Sequence, residues 1–467
     1  MISPPSPAAE PRTYRVGTLV YTRATLIPMM FWMLWGAFSF QILESVPSVI
    51  PLQLRWEGAS DSVLGLAGSQ FAILSFFFFP IIGMQSDRRR GRLGRRRPFL
   101  LWCTPPVLLS LVLLGAAKPG GSFLHHALAS LGPMKSTAEG CTIAWIFLCY
   151  TVFVIFNTYI GQNYQYLIAD TVPSEVIGKF YGLFRAIGAL GNLAFSRWFF
   201  GSARAHTFDV YCLVGLVFAS AFLLIVWRVK EGEYPPPPPK KAGGGLTSMK
   251  TYCKECFSHP FYLNFYCISF FFWSSLVPLN FVTFFATEAG KPGYAATLGL
   301  SLQEFGQIKG WTFLIQIPVF FLIGPLIDRF HPLRVCIVGL LLTSVSYFAC
   351  FWLIHGSSSL LLWWGVNQAA LGIYLGAGAA LTPRLLPRER YGQFFSAIQT
   401  FGFLPLIVTP PLCGLLLETI RDYRYLFILC GICTTLTFIA SLTLYLQWKR
   451  LGGDRNFKPP EVAMSTS

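Results

Sequence analysis

The sequence predicts an all-α membrane protein with twelve transmembrane helices in two six-helix bundles. Three observations carry this. Hydrophobic residues make up 54% of the 467 and charged residues only 12%, too apolar for a water-soluble domain. The apolar positions gather into twelve runs, each about long enough to cross a bilayer. Two short polar signatures of the first half recur at matching places in the second, which marks a parallel internal repeat.

Residues 1–25 form a polar arm carrying Arg12, Arg15 and Arg23, without a cleavable signal pattern, so the first span is expected to direct insertion. The first bundle, residues 26–228, has spans at about 26–54, 62–85, 98–117, 141–169, 180–201 and 207–227. Pro47 and Pro51 interrupt the first of these, because proline lacks the amide donor a helix needs. Residues 118–140, with Gly120-Gly121, His125-His126 and Gly132-Pro133, read as an outside loop with room for a short surface helix. Neighbouring histidines on a helix point apart, so this pair reads as solvated and not as a metal site.

Composition breaks at residues 229–258, where Pro235 to Pro239, Lys240-Lys241 and Gly243 to Gly245 read as an extended, then flexible, cytoplasmic linker. The second bundle, residues 259–448, has spans at about 260–287, 305–327, 333–355, 360–381, 394–417 and 425–448, followed by a tail at 449–467. An even number of spans puts both termini on one side. The loop from Gly83 to Pro98 says which: its seven arginines cannot enter hydrocarbon and are drawn to the cytoplasmic face of the cell membrane. The net charge of +16 is spread over such short loops, so it argues for membrane anchoring and against nucleic acid. Of the 12 cysteines, Cys149, Cys212, Cys336, Cys350 and Cys430 fall in apolar segments with no pairing pattern, and Cys253-x-x-Cys256 lacks a second ligand pair. No cofactor or metal is expected.

The loop signature Gly83-x-x-x-Asp87-Arg88 recurs as Gly324-Pro325-Leu326-Ile327-Asp328-Arg329, and Pro173-Ser-Glu175-Val-Ile-Gly178-Lys-Phe180 recurs as Pro387-Arg-Glu389-Arg-Tyr-Gly392-Gln-Phe394. The first of these resembles the loop between the second and third helices of major facilitator transporters. Its continuation to Gly94-Arg95-Arg96-Arg97-Pro98-Phe99 is most similar to sucrose transporters and their relatives among the glycoside-pentoside-hexuronide:cation symporters. The resemblance implies the major facilitator fold, alternating access, and a cavity among helices 1, 4, 5, 7, 8, 10 and 11. It also implies that Gly83, Asp87, Arg88, Gly94, Arg95, Arg96, Asp170, Gly324, Asp328 and Arg329 gate the cytoplasmic mouth. Asp87 and Asp328, at equivalent helix ends, pair with loop arginines or face a helix N-terminus across the bundle interface.

Within the bilayer, Glu44 near the middle of the first span is the leading candidate, since a carboxylate there costs a few kcal/mol unless it faces a cavity, is protonated or has a partner. A carboxyl at that depth suits proton coupling; the competing role is a bond to a neighbouring helix. Gln41 lies on the same helix face. The fourth span is the most polar, and Asn157, Tyr159, Gln162 and Asn163 are candidate substrate contacts. Its Asn157-Thr158 and Ile168-Ala169-Asp170 are similar to stretches of the sucrose group. The plant members, however, carry an aspartate just before the Asn-Thr pair, where this chain has only Val152 to Phe156. Coupling then moves to Glu44, uses another ion, or is absent.

Arg185 is a partner for Asp170, a clamp on substrate oxygens, or a side chain snorkelling to the cytoplasm. Asn280, Gln316, Asn367 and Gln368 supply neutral hydrogen-bonding groups in the second bundle, whose spans show no obvious central acid or base. Neutral amides with aromatic rings suit a polyhydroxylated solute, and the resemblance makes that a sugar moved with a cation, the proton first. A monomer in the lipid bilayer is expected. The competing readings are transport of another small organic or lipid-like solute, or a membrane transferase. The transferase would need an acid pair or metal ligands that the short loops do not offer.

Overall fold

The computed structural model describes residues 13–131, 137–234, 256–287, 292–295, 297–387 and 391–460. It is a helical molecule in which, among the described residues, twelve long helical segments run back and forth. Ten are long and apolar enough to cross a membrane.

The polar arm contains a hairpin. β1 (Tyr14–Val16) pairs antiparallel with β2 (Leu19–Tyr21) around Gly17-Thr18. The Thr18 hydroxyl accepts the Glu233 amide at 2.8 Å, which ties the start of the first half to its exit.

The first span is broken, as its prolines require. α1 (Arg23–Leu43) gives way to a 3-10 turn, Val46–Ser48, and resumes as α2 (Ile50–Trp56). Glu44 sits at that break. The rest of the first half comprises α3 (Asp61–Arg88), α4 (Arg97–Gly115), the surface helix α5 (Ala117–Leu131), α6 (Ala138–Thr171), α7 (Ser174–Ala194) and α8 (Thr207–Arg228). α7 continues through a π-helical turn, Phe195–Phe199.

The second half repeats the broken first span, which the sequence reading did not anticipate. α9 (Pro260–Leu276) passes through a 3-10 turn, Val277–Phe281, into α10 (Val282–Ala286), with Pro278 removing the amide at the break. Then follow α11 (Leu302–Arg329), α12 (Pro332–Leu353), α13 (Ser357–Leu385), α14 (Tyr391–Ile420) and α15 (Tyr425–Arg450). Of the linker expected at 229–258, residues 235–255 lie outside the described residues, as does Glu288.

Two of the long segments, α7 with its π turn and α11, carry charged and amide side chains along their length. α11 carries Gln303, Glu304, Gln307, Lys309 and Gln316. These two pack on each other across the halves, which gives their polar faces a protein partner in place of lipid. Among the described residues α3 and α14 form the other extensive contact between halves. Both seams close tightest at the end opposite the arginine loop. A Cβ on Gly65 would run into the Pro410 carbonyl oxygen, one on Gly414 into that of Asp61, and one on Gly201 would lie 2.8 Å from Gln303 Cα. Ser69 Oγ donates to the Ile407 carbonyl at 2.8 Å, and Glu418 accepts from the Ser62 amide at 3.0 Å and the Ser62 hydroxyl at 2.9 Å. Beside them Arg55 and Asp61 form a buried ion pair, and the Tyr423 hydroxyl of the second half lies 3.3 Å from each.

Candidate functional site

Among the described residues, two chambers take their lining from both halves. The central one, of about 350 Å³, is lined by Glu44, Tyr150 and Asn157 from the first half and by Asn280, Thr283, Phe284 and Lys309 from the second. Glu44, Ser48 and Asn280 reach it because both broken spans turn there, so each half contributes polar side chains from an irregular segment. Asn157 Nδ2 donates to Glu44 Oε1 at 2.5 Å, joining α6 to the carboxyl and leaving its other oxygen free of that bond. Asn157 Oδ1 is buried without a hydrogen-bond partner, an acceptor aimed at whatever occupies its surroundings.

The second chamber, of about 360 Å³, lies toward the arginine-rich end and is lined by Gln41, Gln165, Tyr181, Arg185, Asn192, Gln316 and Phe320. Asn192 Oδ1 accepts from Ser45 Oγ at 2.9 Å and from Gln41 Nε2 at 3.4 Å, and Gln316 Nε2 donates to Gln368 Oε1 at 2.8 Å. The structure thus gathers Glu44, Asn157 and Asn280 in one chamber and Gln41, Arg185 and Gln316, with Gln368 behind it, in the other.

Other candidate contacts are held elsewhere. Asn163 is buried and donates to the Tyr159 carbonyl at 2.9 Å, while the Tyr159 hydroxyl donates to Gln85 at 3.2 Å and its ring stacks on Phe99. Asn367 is buried against α12, donating to Ser346 Oγ at 2.8 Å. Gln162 lines neither chamber. Asn163, Tyr159 and Asn367 turn into their own half because helical rotation, which residue type does not report, decides the face.

At the arginine-rich end the geometry corrects one expected pairing. Asp170, expected to meet Arg185, accepts instead from Arg95 Nη2 at 2.7 Å and Nε at 3.1 Å and from Arg96 Nε at 3.1 Å. Arg185 lines the second chamber. Gly94 has φ +85°, and a Cβ there would lie 2.6 Å from the Glu231 carboxyl carbon, so this residue has to be glycine. The turn it makes aims three successive amides at one carboxylate: Arg95, Arg96 and Arg97 donate to Glu231 at 2.9, 3.0 and 2.8 Å. Tyr234 completes the cluster. Its hydroxyl lies 3.0 Å from Glu231 and 3.2 Å from Asp170, and burial, aided by those carboxylates, pushes the phenol above its ordinary pKa.

This cluster joins α3, α4, α6 and the exit of α8, all in the first half. The described contacts that bridge the halves at a helix end lie at the opposite face. Gly83 is within α3 and Gly324 within α11, while Arg88 and Arg329 are exposed. Asp87 and Asp328 fall at the arginine-rich ends of α3 and α11; their side chains lie outside the described residues.

Glu231→Ala is expected to release the loop, since hydrogen bonds to a charged group contribute about 1.5–3 kcal/mol each. Trypsin should then cut among the arginines about tenfold faster or more. An unchanged cleavage rate in the folded protein would show that the carboxylate does not hold the loop.

Sequence reasoning missed Glu231, Arg55, Asp61 and Lys309. The last is a base inside a second-half span, a quarter of the way along α11 and away from its centre. Its signal was present: a lysine two turns after the capping box Ser301-x-x-Glu304 lies inside the span.

The chain has the major facilitator fold. The profile described as Major Facilitator Superfamily matches residues 279–463. Solute carrier family 45 member 4 of Homo sapiens is 27% identical over 44% of this chain and 28% of its own length. Sucrose transport protein SUT5 of Oryza sativa is 28% identical over 36% of this chain and 33% of its own. The matched regions therefore span about a third of these curated relatives. Among solved structures, the nucleoside transporter NupG aligns with TM-score 0.65 at 12% identity, covering 89% of this chain and 100% of that one. The D-xylose-proton symporter aligns with TM-score 0.61 at 16% identity, covering 90% and 96%. At such identities the structures establish the fold. In fold and in these matches the multi-pass membrane protein is similar to transporters.

Proposed function

We propose that the chain is a secondary active transporter that moves a sugar or glycoside together with a proton by alternating access. Residues 26–228 and 259–448 are the two moving bundles, the arginine loop and both termini face the cytoplasm, and the protein acts as a monomer in the cell membrane. In that orientation the seams closed by Gly65, Gly201 and Gly414 shut the outer mouth. The observation that carries the reading is Glu44: a carboxyl at a helix break, bonded to Asn157 and lining a chamber between the halves. Such a group binds a proton from one side and releases it to the other as the bundles rock. The amides of both chambers bond hydroxyls, and the polyol assignment gains support from the likeness to the sucrose transport protein.

Purified protein in liposomes should accumulate labelled sucrose or maltose when an inward proton gradient is imposed. Glu44→Gln keeps the Asn157 bond but cannot exchange a proton. It is expected to lose gradient-driven accumulation about tenfold or more while still exchanging solute at equal concentrations. Accumulation equal to the wild type would remove Glu44 from coupling.

A further inference from the structure

Lys309 is unused by the reading above. It stands seven residues beyond the start of α11, about 10 Å along its axis, and lines the central chamber with Glu44 and Asn157 across from it. Its helix packs closely on α7 beside it, because Gly306 lies against the Ser196 carbonyl and Gly310 against Leu193. Its ammonium lies 5.0 Å from the centroid of the Phe200 ring, which is fully buried. Phe200 directly follows the π-helical turn, its amide donating to the Phe195 carbonyl at 3.0 Å. One irregular turn of α7 thus places an aromatic face under a cation from the other half, an arrangement that stabilises the charge without neutralising it.

Among the described residues Lys309 has no ion pair, and its neighbours from its own half, Asn280 and Thr283, are neutral. The chamber's carboxyl is engaged by Asn157. A lysine inside a span is costly to bury, and a ligand bringing the opposite charge offsets that cost.

We propose that Lys309 forms an anion subsite in the central chamber that takes the carboxylate of a polyhydroxylated monoanion. The inference rests on the transport reading and assigns a charge to its solute. Asn157 and Asn280 bond the hydroxyls. A proton on Glu44 removes the repulsion its carboxylate would exert on the incoming anion, so proton and solute enter as a neutral pair.

Calorimetric titration of the full chain in lipid nanodiscs tests this with gluconate, with sorbitol as its uncharged counterpart, and with chloride as a competitor. Gluconate is expected to bind about tenfold more tightly than sorbitol or better. Lys309→Gln should erase that difference and leave sorbitol affinity unchanged, and Lys309→Arg should keep it. Chloride that competes with gluconate but not with sorbitol would show the subsite also takes a free small anion, with Lys309 still its holder. Equal wild-type affinity for both polyols and indifference to chloride overturns the subsite, as does absence of gluconate binding, whether or not the variants fold. Those outcomes leave proton-driven uptake of neutral sugars standing, whereas loss of gradient dependence alone overturns only the transport reading.

Discussion

Gly414→Val is expected to abolish transport and to force the closed end of the molecule apart. The side chain would have to occupy the position of the Asp61 carbonyl and the Ser62 Cα, which are backbone atoms of the first turn of α3 and cannot rotate away. Overpacking typically costs about 1–3 kcal/mol where neighbours can adjust, and a backbone clash sits at or above the top of that range. The cheapest relief is separation of α14 from α3, so the population moves toward the state open at that face. Asn280→Cys, on the central chamber wall, reports it: a membrane-impermeant maleimide added at the face opposite the arginines should label it about tenfold faster in the Gly414→Val background. Gly414→Ala should give a smaller change in the same direction. Equal labelling in all backgrounds would mean that this seam does not set access to the chamber.

Asp61→Ala should produce the largest loss of stability in the molecule. Asp61 is completely buried and its partner Arg55 is only 9% exposed, so removing the carboxylate strands a guanidinium in a dry site. Breaking a buried pair from one side costs about 3–5 kcal/mol, whereas replacing both members by apolar groups is often neutral. The double variant Arg55→Met with Asp61→Ala is therefore expected to regain most of the loss in thermal melts. Tyr423→Phe, which removes the two bonds of 3.3 Å while both charges stay paired, should cost far less. A double variant as unstable as the single one would show that packing around Asp61, not its charge, is what matters.

The helix order and the halving of the chain were legible because hydrocarbon leaves few options: spans must be apolar, and arginines must stay out. The break at Pro47 was legible for the same local reason. Its counterpart at Pro278 carries the same local signal. What residue type could not disclose was rotation and reach. Asn163 and Asn367 look like cavity residues in a helical stretch but turn into their own halves. Asp170 had several arginines within plausible range, and only the folded Gly94 turn brings Arg95 and Arg96 to it in place of Arg185. Lys309 was readable as a lysine within a span, yet its importance comes from standing across a chamber from Glu44, a relation between residues 265 positions apart.

The clasp between Thr18 and the Glu233 amide has a practical corollary. It brings the entry strand and the departing strand of one bundle to a shared anchorage, so a fluorophore attached beside the hairpin travels with that bundle as cargo on a rigid frame. Paired with a second dye on the arginine-rich end of α15, it would read the swing of one half against the other as a single distance. Cutting the chain ahead of the hairpin would leave that ruler intact, whereas removing the hairpin would let its zero point drift.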